Sequence, residues 1–417
     1  MKQMIVEGSH KLSGVIEISG SKNSAVALIP ASLLSSGVIE LTNVPNISDI
    51  DALTEILTFL GAEIKRTDKK MRIDCTKVQN KEIPENISKR LRASYYFMGA
   101  LLGKYKHVEM YFPGGCSIGK RPINFHLEGF EKLGAKVTIE GNKYIVDAEE
   151  LIGTDIDLSI ASVGATMNLM IVATYAKGVT TIHNAAREPH IVNVAQLLNK
   201  MGAKIEGAGS SEIRIEGVTN LGRAEHEVVP DYIEAGTYVI AGALCGNHLE
   251  IKNLVPEHIA SLTNKLKEMG IAMDIKENSI CISARENYLP IDIKTEVYPG
   301  FPTDLQQPLT PLLALAHGTS TIQENIFENR FMHIPYLKEM GADITVEDKV
   351  AIIKGPTSFR AKQVVATDLR AGASLILTAL VAEGTTTIDG IEHVLRGYED
   401  ITQKLTNVGA KISIQEI

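Results

Sequence analysis

Several features that commonly reveal a protein's function are scarce or missing in this chain. Its four cysteines are widely scattered and form neither a disulfide framework nor a zinc-binding spacing. The eleven histidines show no metal-ligand spacing, and the G-x-G-x-x-G and H-E-x-x-H motifs do not occur. We therefore expect reduced thiols, no metal and no dinucleotide cofactor.

Positively charged residues are fewer than negatively charged ones. Lysine and arginine number 42 against 50 aspartates and glutamates, and the net charge of −8 argues against general binding of nucleic acid or anionic membranes. The first residues, MKQMIVEGSHKLSG, lack the apolar core of a signal peptide, and no apolar run is long enough to span a bilayer. We expect a cytoplasmic protein whose 417 residues form two domains.

An internal repeat is the most informative feature that the chain does contain. Six helical stretches end in similar patterns, such as LGAEI, LGAKV and MGADI, and each pattern has a glycine that can adopt the positive φ of a helix end. The glycines are Gly61, Gly134, Gly202, Gly270, Gly341 and Gly409. Because equivalent loops can be compared between six copies, a loop that differs from the others is a candidate for chemistry.

Each copy has the pattern of one α/β unit of about 70 residues. An apolar helix, such as ATMNLMIVATYAKG, precedes a β-rich segment, an amphipathic helix and further strands. Six helices that are apolar on all sides can be buried if each domain takes three and surrounds them with sheets and amphipathic helices. An αα-solenoid also fits the period, but the strand-rich segments argue against it. We predict an α/β protein with three units in each of two domains.

The chain is predicted to cross twice between these domains. An extra strand, VIEISG, precedes the first copy, whereas the last copy ends at the carboxyl terminus. We therefore assign residues 22–229 to the first domain and residues 1–21 with 230–417 to the second. Two crossings form a natural hinge, so we expect the active site in a cleft between the domains.

The loop of copy two, FPGGCSIGKRPINFH, differs most from its counterparts. Glycines and the cations Lys120 and Arg121 flank Cys116, which favours an accessible thiolate. Cys75, Cys245 and Cys281 lie in apolar segments, where a role as small core side chains is favoured. The loop matches most of a P-loop, but Arg121 stands where Ser or Thr would hold magnesium. It therefore predicts a reactive cysteine rather than ATP hydrolysis.

Charged residues collect at the predicted starts of the apolar helices. One such side chain is most often a solvated surface charge, and Asp304, which opens the helix of copy five, would by default be a helix N-cap. Several cations near helix N-termini, however, predict a site for phosphate and carboxylate groups. The charged and polar residues concerned are Lys22, Asn23, Lys89, Arg90, Arg92, Asp368, Arg370 and Arg396.

Motifs from end to end of the chain resemble the UDP-N-acetylglucosamine 1-carboxyvinyltransferase family. They are GSKNSA, PGGCSIGKRP, ASVGAT, NAAREPHIVNVA, PGFPTDLQQP, ENRFMHIPYL, TDLRAGASL and RGYED. The resemblance implies an inside-out α/β barrel of two domains, each with threefold pseudo-symmetry. It also implies transfer of the enolpyruvyl group of phosphoenolpyruvate to the 3-hydroxyl of UDP-N-acetylglucosamine, with release of phosphate, as the first committed step of peptidoglycan precursor synthesis.

The resemblance implies roles for the candidate residues. Cys116, on a mobile lid, would donate a proton and help phosphate leave, while Asp304 would take the proton from the sugar hydroxyl. An acid and a base on either side of the substrate suit this addition. The phosphoenolpyruvate site would consist of Lys22, Arg121 and Arg396, with Arg92 and Arg370 close by.

The same resemblance implies contacts to the sugar nucleotide. Asn23 would contact the sugar, and Arg330 and Asp368 would support the site. The residues that would line the nucleotide pocket are Arg121, Pro122, Ile123, Asn124, Phe125, His126, Ser162, Val163, Gly164 and Ile326. Many family members have Lys in place of Ile160 and Asp in place of Asn124, so individual diphosphate and uracil contacts should differ here.

Family membership further implies a cytoplasmic monomer without metal or cofactor, a part in cell shape and cell division, and alkylation by fosfomycin. Two alternatives stay open at this point. One is the shikimate-pathway enolpyruvyl transferase, against which the cysteine-bearing PGGC loop argues. The other is a catalytically silent paralogue that binds UDP-N-acetylglucosamine and regulates a partner.

Overall fold

The computed structural model of the protein describes residues 2–114 and 123–416. Within them the chain divides into two compact units, one of residues 20–114 and 123–229 and one of residues 2–19 and 230–416. We call these the first unit and the second unit, and each has its own hydrophobic core. Cys116, Arg121 and Pro122 lie outside the described residues.

The helices of the two units follow each other along the chain. Those of the first unit are α1 (Lys22–Ala31), α2 (Ser48–Leu60), α3 (Glu85–Ser88), α4 (Tyr96–Tyr105), α5 (Asn124–Lys132), α6 (Val163–Ala173) and α7 (Pro189–Met201). Those of the second unit are α8 (Tyr232–Cys245), α9 (Ala260–Glu268), α10 (Thr303–Ala314), α11 (Ile334–Glu339), α12 (Leu369–Val381), α13 (Glu392–Leu395) and α14 (Ile401–Asn407). Over the described part of the chain, no helix has the length and apolar character needed to cross a membrane.

The strands are short and most contain three to six residues. They are β1 (Lys2–Glu7), β2 (Leu12–Glu17), β3 (Val38–Thr42), β4 (Glu63–Thr67), β5 (Lys70–Asp74), β6 (His107–Tyr111), β7 (Lys136–Glu140), β8 (Lys143–Asp147), β9 (Asp155–Asp157), β10 (Val179–His183), β11 (Lys204–Glu206), β12 (Glu212–Glu216), β13 (Ala224–Glu227), β14 (Gly246–Lys252), β15 (Met273–Ile275), β16 (Ser279–Ile282), β17 (Asp292–Lys294), β18 (Gly318–Gln323), β19 (Asp343–Glu347), β20 (Val350–Gly355), β21 (Gln363–Val365), β22 (Thr385–Asp389) and β23 (Lys411–Glu416).

The apolar helices form the centre of each unit, as the sequence predicts. Helices α1, α4 and α6 contact one another in the first unit, and α8, α10 and α12 do so in the second. In α6 every residue from 165 to 173 is buried. Burial of one large apolar side chain contributes roughly 1.5–3 kcal/mol, so these helices are a main source of stability in each unit.

The six amphipathic helices end where the repeated glycines were predicted to end them. Helices α2, α5, α7, α9, α11 and α14 are each followed within two residues by one of the six glycines. All six glycines have a positive φ, between +84° and +112°. A side chain at these positions would be strained, because L residues rarely adopt such angles. The repeat seen in the sequence is therefore confirmed.

Each repeat also has a sheet of the same design. Five of the six sheets among the described residues have four strands, in the orders β13-β3-β5-β4, β11-β12-β10-β9, β15-β16-β14-β2, β17-β18-β20-β19 and β21-β22-β1-β23. In each of these five, one edge strand is parallel to its neighbour and the other pairings are antiparallel. The sixth sheet, β6-β8-β7, has three strands. The αα-solenoid alternative is thus wrong.

The amino-terminal strands complete two sheets of the second unit. Strand β1 lies between β22 and β23 and pairs antiparallel with both, while β2 pairs parallel with β14. The first 17 residues of the chain therefore belong structurally with its carboxyl-terminal half.

Three repeats turn at an asparagine directly after a strand. Asn43, Asn184 and Asn253 have φ angles of 54°, 54° and 57°, and asparagine tolerates this left-handed region better than most residues. Each side-chain amide donates a hydrogen bond to a main-chain carbonyl of the same unit, at 2.9, 2.8 and 2.7 Å respectively. The turn is therefore a common element against which the other repeats can be compared.

Candidate active site

Asp304 lies between two buried arginines at the start of α10. Its carboxylate accepts hydrogen bonds from Nη2 of Arg330 and, at 3.2 and 3.0 Å, from Nε and Nη2 of Arg370. The two arginine side chains are 2% and 6% exposed, whereas that of Asp304 is 27% exposed. Two buried cations therefore orient one carboxylate that solvent or a substrate can still reach.

The expectation that Asp304 is a helix N-cap is wrong. Helix α10 begins at Thr303, its N-cap residue is Pro302, and no side chain makes a capping hydrogen bond there. Asp304 is the second helical residue, where its charge also interacts favourably with the helix dipole. Both of its oxygens bond to arginines, so its role lies in this charged cluster rather than in capping.

Asp368 sets the position of Arg370. As the N-cap of α12, Asp368 accepts hydrogen bonds from the backbone N–H of Arg370 at 2.9 Å and from the next N–H at 3.0 Å. The guanidinium of Arg370 also lies 5.4 Å from the centroid of the Tyr398 ring. Burial alone would lower the pKa of Arg370, but Tyr398, Asp304 and Asp231 raise it above its ordinary value. Arg370 therefore remains charged.

Glu324 ties the start of α10 to the loop that follows β18. Its Oε2 accepts hydrogen bonds from the Thr303 hydroxyl at 2.9 Å and from the Gln306 amide at 3.3 Å. Its Oε1 accepts from the Thr295 hydroxyl at 3.0 Å and from the backbone N–H groups of residues 326 and 327 at 2.8 and 3.1 Å. Five donors thus compensate a carboxylate that is only 1% exposed.

The side chain of Gln306 connects Glu324 to Arg330. The main-chain carbonyl of Arg330 accepts hydrogen bonds from the side-chain amides of Gln306 at 3.1 Å and Gln307 at 2.9 Å. Gln306 therefore bonds to Glu324 and to the Arg330 backbone at once. Glu324 occupies the position directly after the strand, where three other repeats have asparagine, so this loop is one that departs from its counterparts.

In the first unit, Lys22 is the first residue of α1. The helix is capped by Ser21, whose side chain accepts a hydrogen bond from the backbone N–H of Ser24 at 3.3 Å. Nζ of Lys22 lies 3.1 Å from Oδ2 of Asp49, which is the second residue of α2. Their side chains are 19% and 3% exposed. A buried carboxylate thus holds the lysine at the start of an apolar helix, next to half-buried Asn23.

His126 lies beside the first turn of α6, where Ser162 is the N-cap. A Cβ added to Gly164 would be 2.6 Å from the Tyr95 hydroxyl oxygen and 3.2 Å from Nε2 of His126, so only glycine allows both rings to approach this turn. His126 is 4% exposed, and burial, helped by the charge of Arg92, lowers its pKa to about 3. The structure therefore brings together the predicted residues His126 and 162–164.

The remaining predicted residues of the first unit differ in accessibility. Arg92 opens a 3-10 turn, Arg92–Tyr95, and is half-buried. Ile123 is buried and Phe125 half-buried, while Asn124 is exposed and its amide donates at 3.2 Å to a glutamate one turn further along α5. Ile160 is 59% exposed. Ile123 is thus a core side chain, whereas Asn124 and Ile160 are open to solvent.

In the second unit, Ile326 and Arg396 lie outside the Asp304 hydrogen bonds described above. The side chain of Ile326 is exposed, and its backbone N–H is held by Glu324. Arg396 directly follows α13 and is half-buried.

Two of the three cysteines within the described residues are poor nucleophiles. Cys75 and Cys245 are buried, and burial raises the pKa of each thiol to about 12. Their predicted role as small core side chains is confirmed. Cys281, in β16, is half-buried. Thiolates are the reactive form of cysteine, so Cys75 and Cys245 should be inert.

The sequence did not single out four residues that hold predicted residues in place within their own unit. Asp49 pairs with Lys22, Tyr398 lies under Arg370, Glu324 anchors the α10 start, and Asn168 bonds to His126. Only Glu324 carried a signal, because it replaces the asparagine that follows the strand in other repeats. The other three act through contacts between segments that are distant in the sequence.

Comparison with known proteins shows which family the chain matches. Residues 6–405 match the family model described as EPSP synthase (3-phosphoshikimate 1-carboxyvinyltransferase). The chain is 48% identical over 411 residues to UDP-N-acetylglucosamine 1-carboxyvinyltransferase 2 of Listeria monocytogenes, a match that covers 99% of this chain and 97% of the relative. It is 47% identical to the UDP-N-acetylglucosamine 1-carboxyvinyltransferase of Clostridium botulinum, with 99% of each chain covered.

Solved structures show the same fold. The enolpyruvyl transferase NikO from Streptomyces tendae superposes with a TM-score of 0.90 at 25% identity and covers 99% of both chains. An EPSP synthase from Acinetobacter baumannii, at 18% identity and a TM-score of 0.77 over the full length of both chains, shows likeness of fold alone. The predicted enolpyruvyl transferase fold is therefore confirmed. On the matches to its full-length relatives, the chain belongs to the UDP-N-acetylglucosamine 1-carboxyvinyltransferases of the enolpyruvyl transferase family.

Proposed function

We propose that this enzyme transfers the enolpyruvyl group of phosphoenolpyruvate to the 3-hydroxyl of UDP-N-acetylglucosamine and releases phosphate. The observation that carries the proposal is the carboxylate of Asp304, fixed by Arg330 and Arg370 at the start of α10. The chain shares 47–48% identity over nearly its whole length with relatives named for this reaction.

The reaction needs a base for the sugar and an acid for the enol. Asp304 accepts the proton of the 3-hydroxyl while that oxygen bonds to C2 of phosphoenolpyruvate, and Cys116 supplies the proton that the methylene carbon gains. In the second step the bond from C2 to the phosphate oxygen breaks, phosphate leaves, and loss of a proton from the methyl group restores the double bond. Atoms and charges balance without an added oxidant or reductant.

The cations would hold the anionic groups of phosphoenolpyruvate. Lys22, Arg121 and Arg396 bind its phosphate and carboxylate, and Arg92 and Arg370 add positive charge nearby. The buried pairing of Lys22 with Asp49 and of Arg370 with Asp304 supports this role, because prepaired side chains lose little freedom when the substrate arrives.

The sugar nucleotide would lie along the start of α6 and the residues that precede α5. Free N–H groups at a helix N-terminus suit a diphosphate, and His126 and 162–164 meet at this turn. Asn23 contacts the sugar, and Pro122, Ile123, Asn124, Phe125 and Ile326 complete the pocket. Exposed Ile160 cannot supply the positive charge of the lysine found in many relatives, so the backbone must contribute more to diphosphate binding.

The wider role follows from the reaction. The product is a precursor of peptidoglycan, so loss of the enzyme should disturb cell shape and division. We further propose that the protein works in the cytoplasm as a monomer and that fosfomycin alkylates Cys116.

Phosphate release distinguishes the candidate functions. The purified protein is incubated with phosphoenolpyruvate alone, with UDP-N-acetylglucosamine added, and with shikimate 3-phosphate added. We expect release only with UDP-N-acetylglucosamine. Release with shikimate 3-phosphate instead would favour the shikimate-pathway activity. Calorimetric binding of UDP-N-acetylglucosamine without any phosphate release would favour the silent regulatory paralogue.

A further inference from the structure

Asn168, in the middle of α6, has a side-chain orientation that the backbone fixes. Its Oδ1 accepts a hydrogen bond from the backbone N–H of Gly99 at 3.0 Å, and its Nδ2 donates to the main-chain carbonyl of Tyr95 at 3.0 Å. A backbone N–H can only donate and a carbonyl can only accept, so the two ends of the amide cannot be exchanged. Gly99 is required here, because a Cβ at that position would lie 2.1 Å from Oδ1.

The fixed amide determines which ring nitrogen of His126 carries the proton. The second hydrogen of Nδ2 in Asn168 faces Nδ1 of His126, 3.0 Å away. Since Nδ2 can only donate, Nδ1 must accept and cannot carry a proton. The imidazole is neutral, as the low pKa of about 3 that results from burial also indicates. Its single N–H is therefore on Nε2.

Nε2 of His126 points to the start of α6. It lies 3.2 Å from the Cβ position of Gly164, the second residue of that helix. His126 as a residue is 4% exposed. An N–H donor beside a helix N-terminus suits an oxygen of an anionic group.

We propose that Asn168 is a positioning residue that holds His126 as its Nε2–H tautomer, so that this N–H donates to a diphosphate oxygen of the sugar nucleotide. The proposal rests on the proposed function, since UDP-N-acetylglucosamine is the ligand that brings the diphosphate. Asn168 itself touches no substrate and acts only through the imidazole.

An aspartate in place of Asn168 would reverse this arrangement. A carboxylate cannot donate a hydrogen bond to Nδ1, but it can accept one from Nδ1–H. The neutral ring would therefore change to its Nδ1–H tautomer and turn a lone pair on Nε2 toward the diphosphate. Protonation of the ring would then restore the Nε2–H. The charged and titratable groups that face the ring are Arg92 and Tyr95 of the 3-10 turn, with Tyr96 of α4 behind Tyr95. Helix α6 carries no titratable side chain.

The first test is the tautomer itself, which needs no substrate and no variant. Histidine side-chain nitrogen NMR of the full-length protein, assigned by the loss of one signal in His126→Ala, reports which nitrogen is protonated. We expect a neutral Nε2–H ring between about pH 5.5 and 8. A neutral Nδ1–H ring or an imidazolium in that range would overturn the proposal, whatever the activity of the enzyme.

The second test is calorimetric binding of UDP-N-acetylglucosamine to wild type and Asn168→Asp across the same pH range. We expect wild-type affinity to change little with pH, whereas the variant binds about tenfold or more weakly at pH 8 and recovers as the pH falls. Asn199→Asp is the matched control. Asn199 is exposed at the end of α7. Its replacement by aspartate also removes one hydrogen-bond donor, here to the carbonyl of Ile205. This variant should bind UDP-N-acetylglucosamine like wild type at every pH.

The outcomes separate the two levels of inference. Absence of binding to the wild type would contradict the proposed function and leave the tautomer measurement intact. A pH-independent loss of affinity in Asn168→Asp, with an unchanged His126 tautomer, would show a purely structural role for Asn168 and overturn the proposal. If that variant does not fold, the wild-type NMR spectrum still decides.

Discussion

At the scale of single residues, neighbouring side chains of the same unit hold the charged residues of the candidate site in place. Asp304 bonds to two buried arginines, Lys22 pairs with buried Asp49, and Arg370 is fixed by the N-cap Asp368. Orientation by neighbouring groups reduces the freedom that catalytic side chains lose in the transition state.

Asp304→Asn should abolish turnover while sugar-nucleotide binding survives. Asparagine keeps the shape of the side chain but cannot take the proton of the 3-hydroxyl, so we expect kcat to fall about 100-fold or more. Calorimetry should show UDP-N-acetylglucosamine binding with little change. The matched control is Asp292→Asn, which removes a surface carboxylate of β17. Turnover of Asp304→Asn near the wild-type rate would instead assign Asp304 a structural role between its arginines.

Alkylation should select Cys116 among the four cysteines. Burial raises the pKa of Cys75 and Cys245 to about 12, so almost none of either thiol is ionised at neutral pH. We expect one adduct after treatment with fosfomycin and UDP-N-acetylglucosamine, and peptide mass spectrometry should locate it on Cys116. Cys116→Ala serves as the control and should give none. An adduct on Cys75, Cys245 or Cys281 in the folded protein would contradict the assignment.

The sequence predicted the charged residues of the candidate site better than the residues that hold them in place. Motif comparison identified Asp304, Arg330 and Arg370, which the structure does bring together. The position of Asp304 at a helix start, taken alone, favoured a helix cap by default, because a carboxylate there usually has that role. Asn168 could not be identified, since its importance comes from a contact with a helix 42 residues away along the chain.

At the scale of elements, the loop after β18 differs from its counterparts in the other repeats and supports the start of α10. Three repeats turn at an asparagine with positive φ after the strand, whereas copy five has Glu324, which bonds to α10 and to its own loop. The glycine period predicted all six helix ends, because a positive φ is visible in the sequence as glycine. The hydrogen bonds of Glu324 were not predictable, because they join three separate segments.

Glu324→Gln should weaken both the α10 start and turnover. The amide oxygen of glutamine can still accept from the backbone N–H groups of residues 326 and 327, but its NH2 group would then face the Gln306 amide, which also donates. We expect the free energy of unfolding to fall by roughly 1–3 kcal/mol, together with a lower kcat as Arg330 shifts. Chemical denaturation and steady-state phosphate release measure the two effects.

A substitution in the same loop provides the control for that experiment. Glu328 is exposed, so Glu328→Gln should leave both stability and kcat close to wild type. Equal effects of the two substitutions would show that the loss of charge, rather than the hydrogen bonds of Glu324, is responsible.

At the scale of the whole molecule, two separate cores contain buried histidines that remain neutral. Burial lowers the pKa of His126 and His333 to about 3 and that of His226 to about 4. The unfolded chain binds protons on these rings below about pH 6.5, whereas the folded chain does not. Their contribution to stability is therefore complete above that pH and is lost progressively as the pH falls toward 3–4.

The unfolding temperature should consequently drop between pH 7 and pH 5. For each neutral histidine the slope rises toward a maximum of about 1.4 kcal/mol per pH unit as the ring becomes protonated in the unfolded chain. Glu234 acts in the opposite direction, because burial raises its pKa and its stabilising effect is lost as the pH rises. His333→Gln should reduce the pH dependence measured by calorimetry. An equal dependence in this variant and in wild type would contradict the assignment to buried histidines.

Identification of the product tests enolpyruvyl transfer most directly. The full-length protein is incubated with phosphoenolpyruvate and UDP-N-acetylglucosamine, released phosphate is measured, and the nucleotide is analysed by mass spectrometry. The proposed function predicts one phosphate released for each UDP-N-acetylglucosamine that gains an enolpyruvyl group on its 3-oxygen, and product formation that is about 100-fold or more slower with Asp304→Asn. Phosphate released while the sugar nucleotide remains unmodified, or no reaction in spite of measurable binding, would contradict it.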